Sequence, residues 1–294
     1  MEKAVYHLPG LFEFYDFYRK FLPIYREKTE YFYDWCQIGS LYGAPADCLW
    51  AGGRVSTGNA DPRRVLALTE EYGLSARLTF SNSLLCPEHL KDPKCNRLCA
   101  LFGAESGNGV IVHSELLLDY LKEKYPNFYF VSSTTKVLTN FEDLVAETER
   151  PDFRYVVPDF RLNKAFDRLA GLKEKRKVEF LCNECCWPGC RERKECYENV
   201  SRKNLGEHCP DHICAAPEGE KGYRFSAAMK NPAFIGIRDI RETYLPMGFS
   251  QFKIEGRGLG SAMLLEFILY YLTKPEYQLP LREEMYLDSM LDLF

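Results

Sequence analysis

The segment GVIVHSELLLDYLKEKYPNFYFVS, residues 109–132, contains the repeating unit on which the fold prediction depends. Residues 109–113 form a short apolar run typical of a buried strand, 114–124 follow a helical pattern, and 128–132 form a second apolar run. A strand, a helix and a strand in succession indicate two parallel strands joined by a crossover helix. The segment therefore predicts a protein of the α/β class.

The same alternation recurs along the chain and predicts eight strands. Asp61 and Pro62 begin one of the intervening helices, because Asp suits the N-cap and Pro suits the first helical position. Further helices are predicted at about 11–26, 164–172 and 261–272. The predicted strands are residues 4–8, 30–38, 76–80, 109–113, 128–132, 155–157, 178–182 and 252–256.

Eight strands alternating with helices in a chain of 294 residues favour a TIM-type (β/α)8 barrel. An open doubly wound sheet is the alternative, although no Gly-x-Gly-x-x-Gly motif follows the first strand. We predict a single barrel domain over residues 1–294. It includes a cysteine-rich metal-binding segment at 182–224, inserted after the seventh strand.

Charge and composition restrict the possible partners and the compartment. The formal net charge is -4, so the chain lacks the positive excess on which non-specific nucleic-acid binding rests, although a nucleic-acid substrate is not excluded. The N-terminus has no signal pattern, and the longest apolar run, near 263–272, is broken by Glu266. We expect a cytoplasmic protein without a membrane span, in which thiols stay reduced.

Seven of the 12 cysteines lie between Cys182 and Cys214. The spacings that matter are Cys182-x2-Cys185, Cys186-x3-Cys190 and Cys209-x4-Cys214, which allow paired thiolates to reach one metal. Spacing alone leaves zinc and an iron–sulfur cluster equally open. We interpret most of the other five as small buried hydrophobic residues; they are Cys36, Cys48, Cys86, Cys95 and Cys99.

The eighth predicted strand carries three charges, in the sequence Lys253-Ile254-Glu255-Gly256-Arg257. Strand alternation places Lys253, Glu255 and Arg257 on one face. These residues form either an ion-pair network on an exposed rim or a wall inside the barrel mouth that binds a carboxylate.

This charged strand resembles the Lys-Ile-Glu-Gly-Arg signature of peptidase family U32. The stretch 204–209, Asn-Leu-Gly-Glu-His-Cys, is similar to that family's Asn-Arg-Gly-x-Cys, and Val178-Glu179-Phe180 is similar to its strand before the first cysteines. The resemblance implies a TIM-barrel-like fold and a 4Fe–4S cluster held by four cysteines. It also implies either oxygen-independent hydroxylation or the peptidase activity of the family's older name.

The resemblance also directs the choice of metal ligands. The family's fourth cysteine has no counterpart in this chain near 231–235. We therefore predict Cys186, Cys190, Cys209 and Cys214 as the ligands, with Cys182 or Cys36 as alternatives to Cys214. Zinc is the alternative to the 4Fe–4S cluster.

Polar residues just after predicted strands line the mouth of such a barrel. His113 can instead be a hydrogen-bonded structural group, and Asp159 and Arg161 can simply cap a helix and pair with each other. The predicted roles are acid/base catalysis for Glu184 and Glu255, and substrate binding for Lys253, Arg257, Asn183, His113, Asp159 and Arg161.

Three functions remain open at this point. The first is an iron–sulfur enzyme of anaerobic or low-oxygen metabolism that hydroxylates or otherwise modifies a small anionic or aromatic molecule, or an RNA base. The second is a peptidase or other hydrolase. The third is a non-catalytic metal-binding subunit that partners a second barrel protein.

Overall fold

The eight strands form one parallel sheet in a computed structural model that describes residues 2–53, 58–184, 186–217 and 222–291. Neighbouring strands pair in the order β6-β5-β4-β3-β2-β1-β8-β7, and a parallel bridge from Val156 to Val178 joins the two outer strands. The strands are β1 (Ala4–Pro9), β2 (Cys36–Gly43), β3 (Ser75–Phe80), β4 (Gly109–Val112), β5 (Tyr129–Ser132), β6 (Phe153–Val156), β7 (Glu179–Leu181) and β8 (Gln251–Lys253).

Helices alternate with these strands around the outside of the barrel. The helix α2 begins as predicted, since the Asp61 carboxylate accepts hydrogen bonds from the backbone N–H groups of Arg63 and Arg64 and Pro62 is the first helical residue. The helices are α1 (Tyr15–Glu27), α2 (Pro62–Glu71), α3 (Pro93–Phe102), α4 (Glu115–Lys124), α5 (Phe141–Glu149), α6 (Phe166–Ala170), α7 (Arg193–Asn204), α8 (Phe225–Ala228), α9 (Ile237–Asp239), α10 (Leu245–Met247), α11 (Ser261–Tyr271) and α12 (Gln278–Leu291). The TIM-type barrel is confirmed, and the open sheet is wrong.

Strand alternation divides the hydrophobic core into two parts. One face of each strand packs on the helices, as Leu41, Val110 and Phe180 do. The opposite face points into the barrel and forms a small separate cluster. Its buried members are Tyr42, Ile111, Val131, Val157 and Leu181.

The predicted second strand was placed too early. Thr29–Tyr31 is a short 3₁₀ turn, and β2 begins only at Cys36. The aromatic run that suggested a strand packs in the helical layer instead, with the rings of Phe32 and Tyr25 4.8 Å apart. The eighth strand was also predicted too long, because it ends at Lys253.

The burial of the isolated cysteines agrees with their interpretation as small hydrophobic residues. Four of the five, Cys36, Cys48, Cys95 and Cys99, are buried, and Cys86 is half-buried. Among the described residues, no helix combines the length and the apolar character needed to cross a bilayer.

Candidate functional site at the carboxyl-terminal mouth of the barrel

A cavity of about 310 Å³ opens where the strands end. Its floor is partly apolar and its walls carry hydroxyl groups, while Tyr197 of α7 covers one side. The lining residues are Tyr42, Gly53, Thr79, Ser81, Ile111, Ser133, Thr134, Thr135, Leu181, Tyr197, Lys253, Glu255, Gly256, Arg257, Gly258 and Leu259. Such a volume lies at the lower end of the range of small-molecule sites.

A buried ion pair lies inside the barrel below this cavity. Arg77 Nη1 of β3 donates to Glu179 Oε2 of β7 at 2.5 Å, and Arg77 Nε donates to the Tyr129 hydroxyl at 2.8 Å. His7 Nε2 of β1 lies 3.5 Å from Glu179 Oε2. Burial and the charge of Arg77 lower the pKa of His7 to about 3, so this imidazole is neutral at pH 7.

Lys253 connects this interior to the cavity. Its ammonium lies 3.6 Å from Glu179 Oε1, too far for a short hydrogen bond, and 4.0 Å from the centre of the Tyr42 ring. Burial lowers the pKa of Lys253 to about 8, with Arg77 and Arg257 acting in the same direction and Glu179 opposing them.

Glu179 forms ion pairs with two cations, Arg77 and Lys253. Burial alone would raise the pKa of this carboxyl group, but Arg77 first, and then His7 and Lys253, outweigh burial and lower it to about 2. Since His7 is neutral, the group formed by Arg77, Lys253 and Glu179 carries one unbalanced positive charge whenever Lys253 is protonated.

Arg257 lies at the rim of the cavity and is held by Glu13. Its Nε donates to Glu13 Oε1 at 2.7 Å, and its Nη2 donates to the carbonyl oxygen of Ala44 at 3.2 Å. A Cβ at Gly53 would lie 2.5 Å from Arg257 Nη1, so a larger residue there would displace the guanidinium from this position. Gly256 has a φ of 149°, a conformation that L side chains rarely adopt.

Two hydroxyl groups of the cavity have no hydrogen-bond partner within the described structure. They are Thr79 Oγ1 at the end of β3 and Thr134 Oγ1 just after β5. The Thr79 side chain is buried, and leaving a buried hydroxyl unpaired costs about 1–3 kcal/mol. A ligand with hydrogen-bonding oxygens would remove that cost.

The structure places Lys253, Glu255 and Arg257 together in this cavity, and the other predicted site residues outside its lining. Asn183 joins the ends of β7 and β8: its amide donates to the Glu255 carbonyl oxygen at 3.0 Å and accepts from the Glu255 N–H at 2.7 Å. His113 Nδ1 lies 2.9 Å from Thr135 Oγ1, and burial together with Lys136 and Lys194 lowers the pKa of His113 to about 4.

Glu184 and Asp159 meet at a buried arginine, Arg193, at the start of α7. Arg193 Nη2 is ion-paired with Glu184 Oε2, and its Nε lies 3.5 Å from Asp159 Oδ2. Asp159 also accepts a hydrogen bond from Arg161 Nε at 2.6 Å and caps the turn Phe160–Leu162. Asp159 and Arg161 thus have the capping and pairing roles that were the alternative to substrate binding. These contacts fix the chain on both sides of Cys186 and Cys190.

The predicted metal ligands lie in the segment between β7 and α8. The thiols of Cys186, Cys190 and Cys209 are half-buried and that of Cys214 is exposed. No three His, Cys, Asp or Glu side chains converge on a metal-binding point in the part of the chain that the structure describes. Cys185 lies outside the described residues. The described arrangement is thus not an assembled ligand set, and the metal centre stays a prediction.

The two alternative ligands differ in position. Cys36 begins β2, so it lies toward the amino-terminal end of the barrel, away from the mouth. Cys182 directly follows β7 and is buried, with its thiol donating to the Phe180 carbonyl oxygen at 3.6 Å. Of the two, only Cys182 lies next to the segment that carries the other cysteines.

Several residues of the site were missed by the sequence analysis. Arg77 and Thr79 alternate with apolar residues in β3, and Glu179 precedes Phe180 in β7. A charged residue inside an otherwise apolar strand is the signal that could have found Arg77 and Glu179, because such a residue must point into a polar interior. No signal in the sequence indicates that Glu13 reaches Arg257.

Comparison with known proteins bears on the fold. The chain aligns with the structure of the U32 peptidase Mk0906 with a TM-score of 0.54 and 14% sequence identity, over 88% of this chain and 94% of that one. No protein-family model and no curated protein matches the sequence. The chain therefore has a U32-peptidase-like barrel fold, diverged in sequence from that structure.

Proposed function

We propose that the chain is an enzyme whose substrate is a small carboxylated molecule bound in the mouth cavity. The observation that carries this proposal is the buried charge group below the cavity, in which Arg77 and Lys253 both pair with the carboxylate of Glu179. A buried charge without a partner is unfavourable. A bound carboxylate would supply the missing negative charge next to Lys253.

Two other features support the same ligand class. The unpartnered hydroxyl groups of Thr79 and Thr134 can donate to carboxylate oxygens. The apolar floor formed by Tyr42, Ile111 and Leu181 suits a hydrocarbon group attached to the carboxylate. The cavity therefore favours a compact molecule with one anionic and one apolar end.

Calorimetric titration with a matched pair of compounds tests the proposal. The probes are α-hydroxyisocaproate and its neutral amide, which differ only in the charge of the terminal group. We expect the carboxylate to bind at least about tenfold more tightly, because a charge-assisted contact to Lys253 contributes about 1.4 kcal/mol or more. In Lys253→Met, the two compounds should bind equally.

The matched control is Lys173→Met, since Lys173 is largely exposed on the surface. This variant should keep the wild-type preference for the carboxylate. Circular dichroism establishes that both variants are folded. Equal binding of acid and amide by the wild type, or no binding of either, would remove the proposal. Thr79→Val, which deletes only the buried hydroxyl, should weaken carboxylate binding several-fold.

The reaction that we propose for this site is the oxygen-independent, iron–sulfur-dependent hydroxylation that the U32 resemblance implies. Its support is the position of the cysteine segment, which begins directly after β7 and leads into α7, the helix that contributes Tyr197 to the cavity. The described thiols do not converge, so we derive no step of the reaction through a cluster. The cysteines proposed as ligands are Cys186, Cys190, Cys209 and Cys214.

Anaerobic purification with metal analysis tests this second proposal independently of ligand binding. A cysteine-ligated cluster absorbs near about 400 nm and contains iron and sulfide. Serine at any of the four proposed ligands should reduce the iron content, whereas Cys86→Ser, outside the segment, should not. A colourless protein that contains zinc would favour the structural zinc alternative, and one without metal would overturn both.

Peptidase activity has weaker support from the geometry. The cavity is small for a peptide, and of the two candidate general bases only Glu255 lines it, because Glu184 is ion-paired with Arg193 outside the lining. A second barrel protein as partner also stays a proposal, and co-purification from the native source is the measurement that bears on it.

A further inference from the structure

The amine of Lys253 occupies an unusual position at the floor of the mouth cavity. It belongs to the last residue of β8, its side chain is 6% exposed, and it faces the cavity beside the Tyr42 ring. Its ion pair with Glu179 is 3.6 Å long, so the amine is not tied to that carboxylate by a short hydrogen bond. The nitrogen is therefore available to a molecule bound in the cavity.

We infer that Lys253 forms a covalent imine with the carbonyl carbon of an α-keto acid held in this cavity. The inference rests on the proposed function, because it assumes that the cavity binds a small carboxylated molecule. It adds to that function a carbonyl group next to the carboxylate and a covalent bond to one named nitrogen.

The step is balanced without an external electron donor or acceptor. The neutral amine attacks the carbonyl carbon, a carbon–nitrogen bond forms, and the carbonyl oxygen leaves as water with both amine hydrogens. If the imine nitrogen then takes up one proton, the positive charge that Glu179 faces at 3.6 Å is restored. The product thus keeps the ion pair of the barrel interior intact.

The surroundings favour the neutral amine that this step needs. Burial of Lys253 beside Ile111 and Leu181 disfavours the ammonium form and outweighs the opposite effect of the Tyr42 ring, 4.0 Å away. Because the pKa of Lys253 falls to about 8, roughly a tenth of the side chain is neutral at pH 7. An ordinary surface lysine at that pH has roughly one part in three thousand in this form.

The hydroxyl groups on the opposite wall supply the second half of the site. Ser133, Thr134 and Thr135 follow β5 consecutively, and Thr79 lies at the end of β3. All four line the cavity together with Lys253. Thr135 Oγ1 already donates to Ser133 Oγ at 2.9 Å, so the hydroxyl groups open to a carboxylate are above all those of Thr79 and Thr134. A keto acid bound there reacts through the fraction of molecules in which Lys253 is neutral, because a bound carboxylate favours the protonated form of this lysine.

Reductive trapping tests the inference. The full-length protein is incubated with α-ketoisocaproate and sodium borohydride, and intact mass and peptide mapping locate the adduct. We expect one reduced adduct per chain, on the peptide that contains Lys253. Lys253→Arg keeps the charge but cannot form the imine and should lose the adduct, whereas Lys173→Arg should keep it.

The result separates this inference from the function on which it rests. Calorimetry with α-hydroxyisocaproate, which has no carbonyl carbon to attack, measures binding alone. Binding of the hydroxy acid with no trapped keto acid would overturn the imine and leave the proposed function in place. Absence of both would overturn both. An adduct spread over surface lysines would also contradict the imine, and so would equal labelling of Lys253→Arg. If the variant fails to fold, peptide mapping of the wild type still shows whether the adduct is on Lys253.

Discussion

Lys253 and Arg77 are both buried cations, but only one of them is well paired. Arg77 donates hydrogen bonds to Glu179 and to the Tyr129 hydroxyl. Its guanidinium carbon lies 4.8 Å from the centre of the Tyr155 ring. The Lys253 ammonium lies 3.6 Å from the same carboxylate, which is longer than a short hydrogen bond. Since burial penalises an incompletely paired charge, the lysine should lower the stability of the free protein.

Replacing Lys253 by methionine should stabilise the protein at neutral pH. The change keeps the side-chain volume and leaves Arg77 and Glu179 as a one-to-one pair, a type of replacement that is often neutral or stabilising. The folded pKa of Lys253, about 8, lies below its ordinary value of 10.5. Between these values the unfolded chain binds more protons, so wild-type stability should rise with pH, by roughly 3 kcal/mol relative to Lys253→Met.

Urea unfolding of both proteins across this pH range checks the prediction. Below about pH 8 the lysine is protonated in both states, so the difference between the two proteins should be constant there. A wild type that is more stable than Lys253→Met at neutral pH, with no pH dependence of the difference, would show that the lysine is fully paired.

Glu179→Gln should have the opposite effect on stability. The change leaves Arg77 and Lys253 buried without a negative partner, which costs about 3–5 kcal/mol. The matched control is Glu142→Gln, because Glu142 pairs with Arg168 on the exposed surface and should lose less than about 1 kcal/mol. Chemical denaturation measures both, and equal losses would contradict a special role for the buried carboxylate.

At the scale of elements, the end of β7 organises the mouth. Asn183 joins this strand to the chain after β8, and Glu184 reaches Arg193 at the start of α7. The helix α7 is in turn held against the end of β3, where the Asn82 amide donates to the Ser201 carbonyl oxygen at 3.2 Å. The part of the cysteine segment between Asn183 and Ser201 is therefore fixed to the barrel rim at both of its ends.

Glu184→Gln should loosen the amino-terminal turn of α7. It removes the ion pair with Arg193, although Asp159 remains nearby, so we expect a loss of about 2 kcal/mol. Hydrogen exchange of the α7 amides should accelerate by about 30-fold. Glu195→Gln, an exposed change in the same helical turn, serves as the control and should leave exchange nearly unchanged. Unchanged exchange in Glu184→Gln would contradict a structural role of the ion pair between Glu184 and Arg193.

At the scale of the whole molecule, the barrel could be predicted because its strands are short apolar runs separated by helical patterns. The second strand was predicted too early, at 30–38, because aromatic residues favour strands in general. Here these aromatic residues pack in the helical layer. Strand alternation predicted that Lys253, Glu255 and Arg257 lie together at the mouth, but β8 ends at Lys253, so the loop after the strand places the other two. The sharing of Glu179 by β3 and β8 could not be predicted, since it depends on which strands face each other across the barrel.

The cysteine segment illustrates a second limit. Its spacings indicate possible ligand pairs, but side-chain positions outside regular strands and helices do not follow from sequence periodicity. Glu184 shows the same limit, because its partner Arg193 is brought close only by the turn at 187–190 and the start of α7. Sequence alone therefore found the segment and its place after β7, but not the contacts within it.

Proton uptake on ligand binding tests the central claim that the group formed by Arg77, Lys253 and Glu179 lacks one negative charge. The measurement is calorimetric titration of α-hydroxyisocaproate near pH 8, in buffers that differ in ionisation enthalpy. A bound carboxylate should restore the proton of Lys253, so we expect uptake of about half a proton per ligand at that pH and almost none near about pH 6. Binding without proton uptake at either pH would show that Lys253 is already neutralised, and would contradict the account.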